Sequence, residues 1–328
     1  MAQQGAGRVY TRRHGQALMG EQDMTETRKR ARNMAEWAKV MSGLVPTEAQ
    51  LAAAKPYAPR PSDVIITPYA KCGTTLLQQM FHQLRMADAG VDGRGGDMDF
   101  DDISRVVPWI ETAPSLDLDI NAEQRSNPRG FKSHLHYEGL PPGALYVAAL
   151  RDPHDSCVSF YRFMEGWTFE TGAITMEDFM PAWLSGGPSR TDYFTHLLSW
   201  WARRDEADTL LMTYRHIVKQ KRDAIARLAA LMGLPLDEET TAMVERRTAR
   251  EYMLEHKAPF ADPMMRRLSE ERGGLPKGGD SAKIRAADTP DRELPDSLSA
   301  QIDALWAERI TPVTGHANFA ELAAELGR

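Results

Sequence analysis

The sequence predicts an α/β protein, a single domain in which helices flank a central parallel sheet. Three short apolar runs carry this prediction, at residues 64–67, 145–150 and 209–214, and a helical pattern follows each of them. A run that is apolar at every position is typical of a strand buried on both faces. Strands that alternate with helices along the chain predict parallel pairing through crossover helices.

The helical patterns follow the strands in order. After the first strand, Leu77, Phe81 and Leu84 recur on one helical face. After the second, Asp152 and Pro153 supply an N-cap and a proline at the first helical position, and this helix should reach about residue 166. After the third, we expect one continuous helix that stops at residue 233.

Length and composition agree with one compact unit. The chain has 328 residues, of which 42% are hydrophobic and 26% charged, which excludes disordered, collagen-like and coiled-coil classes. Residues 24–55 look helical, and a proline-rich segment at 55–61 ends them. We therefore expect residues 1–60 to form an N-terminal helical or flexible extension and residues 61–328 to form the domain.

Charge and cysteine content limit the partners and the compartment. The formal net charge of −6 argues against broad binding to nucleic acid or to an anionic membrane, so an anionic ligand needs a local basic pocket. No apolar run approaches the ~20 residues of a membrane helix. Two cysteines provide no disulfide framework, which suits a reducing, cytoplasmic location.

Ligands of parallel sheets bind at the carboxyl ends of the strands, which directs attention to residues 68–75, 132–136 and 151–155. The first loop, Pro68-Tyr69-Ala70-Lys71-Cys72-Gly73-Thr74-Thr75, precedes a helix whose free N–H groups can hold an anion. Lys71 adds a positive charge and the threonines add hydroxyl donors. Because Lys71 precedes Gly73, the loop does not match the P-loop pattern of ATP-hydrolysing enzymes.

The other two loops carry complementary chemistry. Arg151 can bind a phosphate through two parallel hydrogen bonds, and Ser159 offers a hydroxyl in the helix that follows. Phe131-Lys132-Ser133-His134-Leu135 reads as a short strand with Lys132 and His134 on one face. A histidine can remove a proton near neutral pH, and a neighbouring lysine can stabilise negative charge. His136 is a less favoured base, and each pattern alone also fits a purely structural role.

Together these segments resemble the cytosolic-type sulfotransferase family. The first loop is similar to the family's 5′-phosphosulfate motif Tyr-Pro-Lys-Ser-Gly-Thr-Thr-Trp, which implies donor contacts from residues 71–75, namely Lys71, Cys72, Gly73, Thr74 and Thr75. Arg151 and Ser159 match the family's 3′-phosphate motif. The Lys-Thr-His segment implies His134 as general base, with Lys132 and Lys71 as charge stabilisers. Leu76 stands where the family has the tryptophan that packs on adenine.

Weaker matches extend the resemblance to residues 60–285. They imply an adenine contact from Phe194, and donor contacts from Thr248, Lys277 and Gly278. Val107-Pro108-Trp109-Ile110-Glu111 resembles a stretch that lines the acceptor pocket. Trp109, Phe163, Trp167 and Phe169 are candidates for an aromatic acceptor pocket, and each also fits a core role.

The resemblance implies a P-loop-NTPase-like sulfotransferase fold and a defined reaction. A sulfonate group would move from 3′-phosphoadenosine 5′-phosphosulfate (PAPS) to a hydroxyl or amine of a small-molecule acceptor, by in-line displacement, leaving adenosine 3′,5′-bisphosphate (PAP). No metal is expected, since no His/Cys/carboxylate cluster has ligand spacing. The sequence leaves open whether the chain is a homodimer, because the family's dimer motif has no clear match.

Two alternatives stay open at this point. One is a P-loop kinase acting on a small metabolite, which would require magnesium-dependent ATP binding. The other is a non-catalytic nucleotide-binding module, which would keep Arg151 and Ser159 but transfer nothing. The acidic segment 88–102 is expected to be mainly a solvated loop, with a lid or an acidic rim as the second interpretation.

Overall fold

A four-stranded parallel sheet forms the centre of the molecule. The computed structural model describes residues 28–88, 96–186, 191–278, 283–284 and 293–327. The strands lie in the order β2-β1-β3-β4, and their bounds are β1 Val64–Ile66, β2 Gly130–Lys132, β3 Leu145–Leu150 and β4 Thr209–Thr213. Every pairing is parallel, with Ile65 opposite both Phe131 and Tyr146, and Tyr146 opposite Thr209. The predicted α/β fold with a parallel sheet is confirmed.

Helices cover both faces of this sheet. In chain order the α-helices of the described residues are α1 Met34–Ser42, α2 Glu48–Ala53, α3 Thr74–Asp88, α4 Ile103–Val106, α5 Pro153–Trp167, α6 Met176–Leu184, α7 Tyr193–Trp201, α8 Tyr214–Lys219, α9 Lys221–Met232, α10 Glu238–Arg247, α11 Arg250–Glu255, α12 Pro263–Glu271, α13 Asp296–Leu305, α14 Thr311–Thr314 and α15 Phe319–Leu326. A π-helical turn, Trp306–Ile310, connects α13 to α14.

The strand side chains divide between two apolar cores, one on each face. Val64 and Ile66 pack with α3, α9 and α10, whereas Ile65 belongs to the core that contains α1, α5, α6 and α7. Successive side chains of a strand point to opposite faces, so a strand covered on both faces must be apolar at each position. This requirement explains the unbroken apolar runs of the sequence.

Residues before 61 pack against the domain in the part that the structure describes. Ala31 exchanges backbone hydrogen bonds with the segment after α5, donating to Thr168 O at 3.1 Å and accepting from Glu170 N at 2.9 Å. The Trp37 indole donates to Thr168 Oγ1 at 2.8 Å, and Trp37 itself is buried. The helices expected here are α1 and α2, separated near Pro46 as the sequence indicates. The boundary at residue 60 stays a prediction.

Two element predictions were wrong in extent. The strand predicted for residues 131–135 ends at Lys132, because the His134 N–H donates to the Glu111 carboxylate at 2.9 Å instead of continuing the sheet. The single helix predicted after β4 is two helices, because Gln220 leaves the helical region with φ −121° and ψ 48°. His216 and Asp223 pair across this break at 2.7 Å.

The acidic segment is less solvated than expected in its described part. Asp97 is buried and bonds to His82 at 2.9 Å and to Arg125 at 2.7 Å. Asp102 is buried at the start of α4. Residues 89–95 lie outside the described residues. In the described ranges, no helix has the length and apolar character needed to cross a bilayer.

Candidate functional site

A large cleft opens where the carboxyl ends of the four strands meet. Its volume is about 1840 Å³, well above the roughly 300–1000 Å³ of a pocket for one drug-sized ligand. Each strand delivers a residue to it shortly after or at its end: Lys71 after β1, Lys132 at the end of β2, Arg151 after β3 and Tyr214 after β4. The cleft therefore has room for two ligands beside a group of cations.

The loop between β1 and α3 is shaped for close approach of a ligand. Lys71 has φ 67° and Gly73 has φ 96°, both in the left-handed region. A Cβ atom at residue 73 would lie 2.8 Å from the Tyr214 ring, so only glycine fits there. Arg151 Nη1 donates to Lys71 O at 3.1 Å and Ser156 Oγ donates to Ala70 O at 3.2 Å. The two predicted phosphate motifs thus support each other directly.

Two buried donors in this loop region have no hydrogen-bond partner among the described residues. The Thr74 hydroxyl and Arg151 Nε are buried and form no hydrogen bond there, although Arg151 Nε lies 3.6 Å from the Asp155 carboxylate. Thr75 and Ser159 also line the cleft. Buried donors without partners are costly, so these atoms are suited to a ligand rich in acceptor oxygens. We call Lys71, Gly73, Thr74, Arg151 and Ser159 the polar lining.

Two lysines of the cleft, Lys71 and Lys132, are held against aromatic rings. Lys71 Nζ lies 4.1 Å from the centroid of Phe163, and Lys132 Nζ lies 3.7 Å from the centroid of Trp109. Burial, followed by nearby positive charge, lowers the pKa of Lys71 to about 7 and the pKa of Lys132 to about 8. Both ammonium groups lack their usual hydration, which favours an anionic ligand between them.

His134 lies just beyond the end of β2 with a fixed orientation. Its Nδ1 lies 2.7 Å from Pro68 O, and because a carbonyl only accepts, Nδ1 carries the proton. The other nitrogen, Nε2, is therefore left unprotonated. Burial, and then the charge of Lys132, hold the pKa of His134 well below its usual value. His134 is thus a neutral imidazole oriented as a proton acceptor.

Glu111 holds the segment that carries His134. Its Oε1 accepts from the His134 backbone N–H at 2.9 Å and from Ser133 Oγ at 3.0 Å. The stretch around it pairs with β2, since Lys132 N donates to Pro108 O at 2.7 Å and Ile110 N donates to Lys132 O at 2.9 Å. Trp109 and His134 meet edge to face, with centroids 5.1 Å apart. The stretch 107–111, which resembles the family's acceptor-pocket segment, therefore contacts His134 directly.

An apolar surface completes the cleft. Trp109, Phe163 and Trp167 line it as predicted, and Met41 and Leu44 join them from the N-terminal region. We call these five residues the apolar lining. It meets the polar lining at Lys71 and Phe163.

The structure does not bring every predicted residue to the cleft. Cys72 is buried beneath the loop, and Phe169 is buried in the core. Phe194 is also buried, packed against Trp183 and Tyr193 with its ring outside the cleft lining. Lys277 and Gly278 are exposed and outside it, and the Gly278 N–H donates to Glu270 at 3.0 Å.

Thr248, in contrast, lines the cleft, although its hydroxyl is used within α10, where it donates to Val244 O at 2.7 Å.

Sequence reasoning missed several cleft residues. Tyr214 was identifiable, because it directly follows β4 and strand ends were the search criterion. Asp262 and Lys283 form a buried ion pair in the cleft, and no motif in the sequence indicated either. Met41 and Leu44 belong to the region that was expected to be an extension. Within the described residues, no group of three or more His, Cys, Asp or Glu side chains could hold a metal ion.

Comparison with known proteins identifies the family. Residues 61–309 match the model of the sulfotransferase domain. Sulfotransferase 1B1 of Mus musculus is 27% identical over 206 residues, which cover 60% of this chain and 67% of the relative. Luciferin sulfotransferase of Photinus pyralis is 25% identical over 296 residues, which cover 81% of this chain and 76% of the relative.

A solved structure shares the fold. Retinol dehydratase in complex with androsterone and the inactive cofactor PAP superimposes with a TM-score of 0.63 at 19% identity, covering 87% of this chain and 96% of that chain. Membership of the family makes this chain a transferase and does not favour the kinase or the non-catalytic module. With a domain match across most of its length and a parallel sheet of the same architecture, the chain belongs to the sulfotransferase family.

Proposed function

We propose that this protein transfers a sulfonate group from PAPS to a hydroxyl or amine of a small-molecule acceptor, with His134 as the general base. One observation carries the proposal: an oriented neutral imidazole, His134, lines the same cleft as the cations Lys71, Lys132 and Arg151. The relatives named as sulfotransferases, and a similar structure that contains PAP and androsterone, support it.

The polar lining fits the nucleotide. The Thr74 hydroxyl and Arg151 Nε are buried donors without a hydrogen bond in the described part of the chain, and both suit phosphate oxygens. Arg151 and Ser159 would hold the 3′-phosphate, and the loop at 71–75 would hold the 5′-phosphosulfate. Leu76 offers no ring for the adenine, and the Tyr214 ring beside Gly73 carries the Arg151 guanidinium 5.0 Å from its centroid, which supports Arg151 at the nucleotide site. When bound, PAPS supplies the sulfonate group.

The remaining residues perform the proton and charge chemistry. His134 Nε2 accepts the proton of the acceptor hydroxyl, while Pro68 O keeps Nδ1 protonated and the ring in place. Lys71 and Lys132 stabilise the negative charge that develops on oxygen as the old sulfur–oxygen bond breaks. The apolar lining excludes water from the acceptor and positions it.

A binding experiment and a transfer experiment test this function. The proposal expects PAP to raise the melting temperature of the protein, and ATP with Mg²⁺ to raise it far less at equal concentration. Radiolabelled PAPS should then transfer label to at least one member of a panel of phenols, fused-ring alcohols and amines. Stabilisation by ATP alone would instead support a kinase. Stabilisation by PAP without transfer to any acceptor would support a binding module.

A further inference from the structure

An ion pair between Lys283 and Asp262 lies in the cleft without a role in the reaction as described so far. Both side chains are buried, 9% and 5% exposed, and both residues line the cleft. Ile284, the next residue, lines it as well. A paired lysine and aspartate inside a ligand cleft differ from the surface ion pairs of this protein, such as Arg222 with Glu238, which are exposed and contribute little to stability.

Asp262 is held in a conformation that a plain helix start does not need. It precedes α12 with φ 50°, in the left-handed region, and its side chain forms no capping bond with that helix. An N-cap aspartate commonly accepts a hydrogen bond from the backbone N–H two residues on, which here is that of Met264. This N–H donates instead to the Asp102 carboxylate at 2.8 Å. Asp102 therefore caps the helix in place of Asp262, and the Asp262 carboxylate pairs with Lys283 instead.

Lys283 lies close to both lysines of the reaction centre. After burial, its charge is the largest influence that lowers the pKa of Lys71, and likewise of Lys132. The same charge contributes to the low pKa of His134. The three ammonium groups lie near the Arg151 guanidinium and near the carboxylates of Asp262, Glu111 and Asp102, which offset only part of the repulsion among the cations. An anionic group in their midst would relieve this repulsion.

We propose that Lys283 is a further catalytic residue, which places a third positive charge beside the sulfonate group during transfer, and that Asp262 is its positioning residue. The inference rests on the proposed function. In the reaction, the sulfur–oxygen bond to the acceptor forms as the one to the nucleotide phosphate breaks, and the acceptor proton passes to His134. Lys283 binds sulfonate oxygens through its side-chain nitrogen, while PAP, which lacks the sulfonate group, does not need this contact.

The test compares affinities for PAPS and PAP, measured by calorimetry without an acceptor. Lys283→Met should weaken PAPS binding about tenfold, the loss of one charge-assisted hydrogen bond, while PAP affinity stays within about twofold. Lys283→Arg, which keeps the charge, should retain most of the PAPS affinity. Asp262→Asn should lose part of the preference for PAPS over PAP, and Asp262→Glu should lose less. Lys257→Met, an exposed lysine outside the cleft, serves as the matched control.

The outcomes separate the two proposals. An unchanged ratio of PAPS to PAP affinity in folded Lys283→Met protein would overturn the role of Lys283. An equal loss for both nucleotides would also overturn it, because Lys283 would then bind a phosphate. If Lys283→Met does not fold, the same comparison with Lys283→Gln decides. A wild-type protein that binds neither nucleotide would instead contradict the proposed function itself.

Discussion

The polar lining and the apolar lining of the cleft draw on different parts of the chain. The polar lining comes from residues that follow β1 and β3 within two turns of helix, and its members contact one another, as Arg151 does Lys71. The apolar lining is assembled from α1 and the turn just after it, the segment before β2, and α5, which are far apart in sequence. The residues that would bind an anion thus lie at the strand ends of the sheet. The shape of the acceptor pocket depends instead on surrounding helices, which can vary independently of the sheet.

The largest expected effect is on turnover and concerns His134, which lines the same cleft as the two linings. His134→Ala should lower kcat by roughly 10²–10⁴-fold, since it removes the general base. The affinity for PAP should change little, because His134 bonds to Pro68 and not to the polar lining. Steady-state kinetics and calorimetry on the same preparation measure both. Near-normal turnover would transfer the role of base to another group, for which His136→Ala is the matched comparison.

A second prediction uses pH to test the charges of Lys71, in the polar lining, and of Lys132, which lines the same cleft. The pKa values of about 7 for Lys71 and about 8 for Lys132 mean that both lose charge as the pH rises from 6.5 to 9. An anionic nucleotide binds the charged forms, so PAP affinity should fall roughly tenfold or more over this range. His134, already neutral because burial lowers its pKa well below 6.5, should not contribute.

Calorimetric titration of PAP at several pH values tests this prediction. Lys71→Met should bind PAP more weakly at pH 6.5 and should show a flatter dependence on pH. An affinity that is constant between pH 6.5 and 9 in the wild-type protein would show that neither lysine changes charge in this range.

The smallest expected effect concerns the apolar lining. Met41→Ala removes cleft-facing apolar surface from α1 while keeping a strong helix former, so the acceptor KM should rise roughly fivefold, from the loss of one or two buried methylene equivalents. PAP affinity should stay the same. Lys39→Ala, on the exposed face of the same helix, is the control. Equal effects of both substitutions would argue that α1 contributes only stability.

The difference between the linings also explains what the sequence could predict. Lys71, Lys132, His134 and Arg151 were identifiable because a ligand site at the carboxyl ends of parallel strands is dictated by topology, and buried strands are visible as apolar runs. Lys283 could not be identified from the sequence, because its place in the cleft depends on its ion pair with Asp262. No sequence pattern indicates that Asp262 has a left-handed backbone and does not cap its helix.

Errors arose where tertiary contacts overrode local patterns. Phe194 was predicted to contact the nucleotide; in the structure it does not line the cleft, because the aromatic residues of α6 and α7 pack together and bury it. The strand predicted through Leu135 stops early because the Glu111 carboxylate accepts from the backbone N–H of His134. The acidic segment looked solvated, yet His82 and Arg125 pair with Asp97 beneath the surface.

A crystal structure with PAP bound tests most directly whether the polar lining is the nucleotide site. We expect the 5′-phosphate on the loop at residues 71–75, where the Thr74 hydroxyl and the backbone N–H groups are available, and the 3′-phosphate on Arg151 and Ser159. The acceptor space beside Trp109 and His134 should remain open. A nucleotide seated on the apolar lining, with Arg151 and Ser159 free of phosphate contacts, would contradict the proposed division of the cleft.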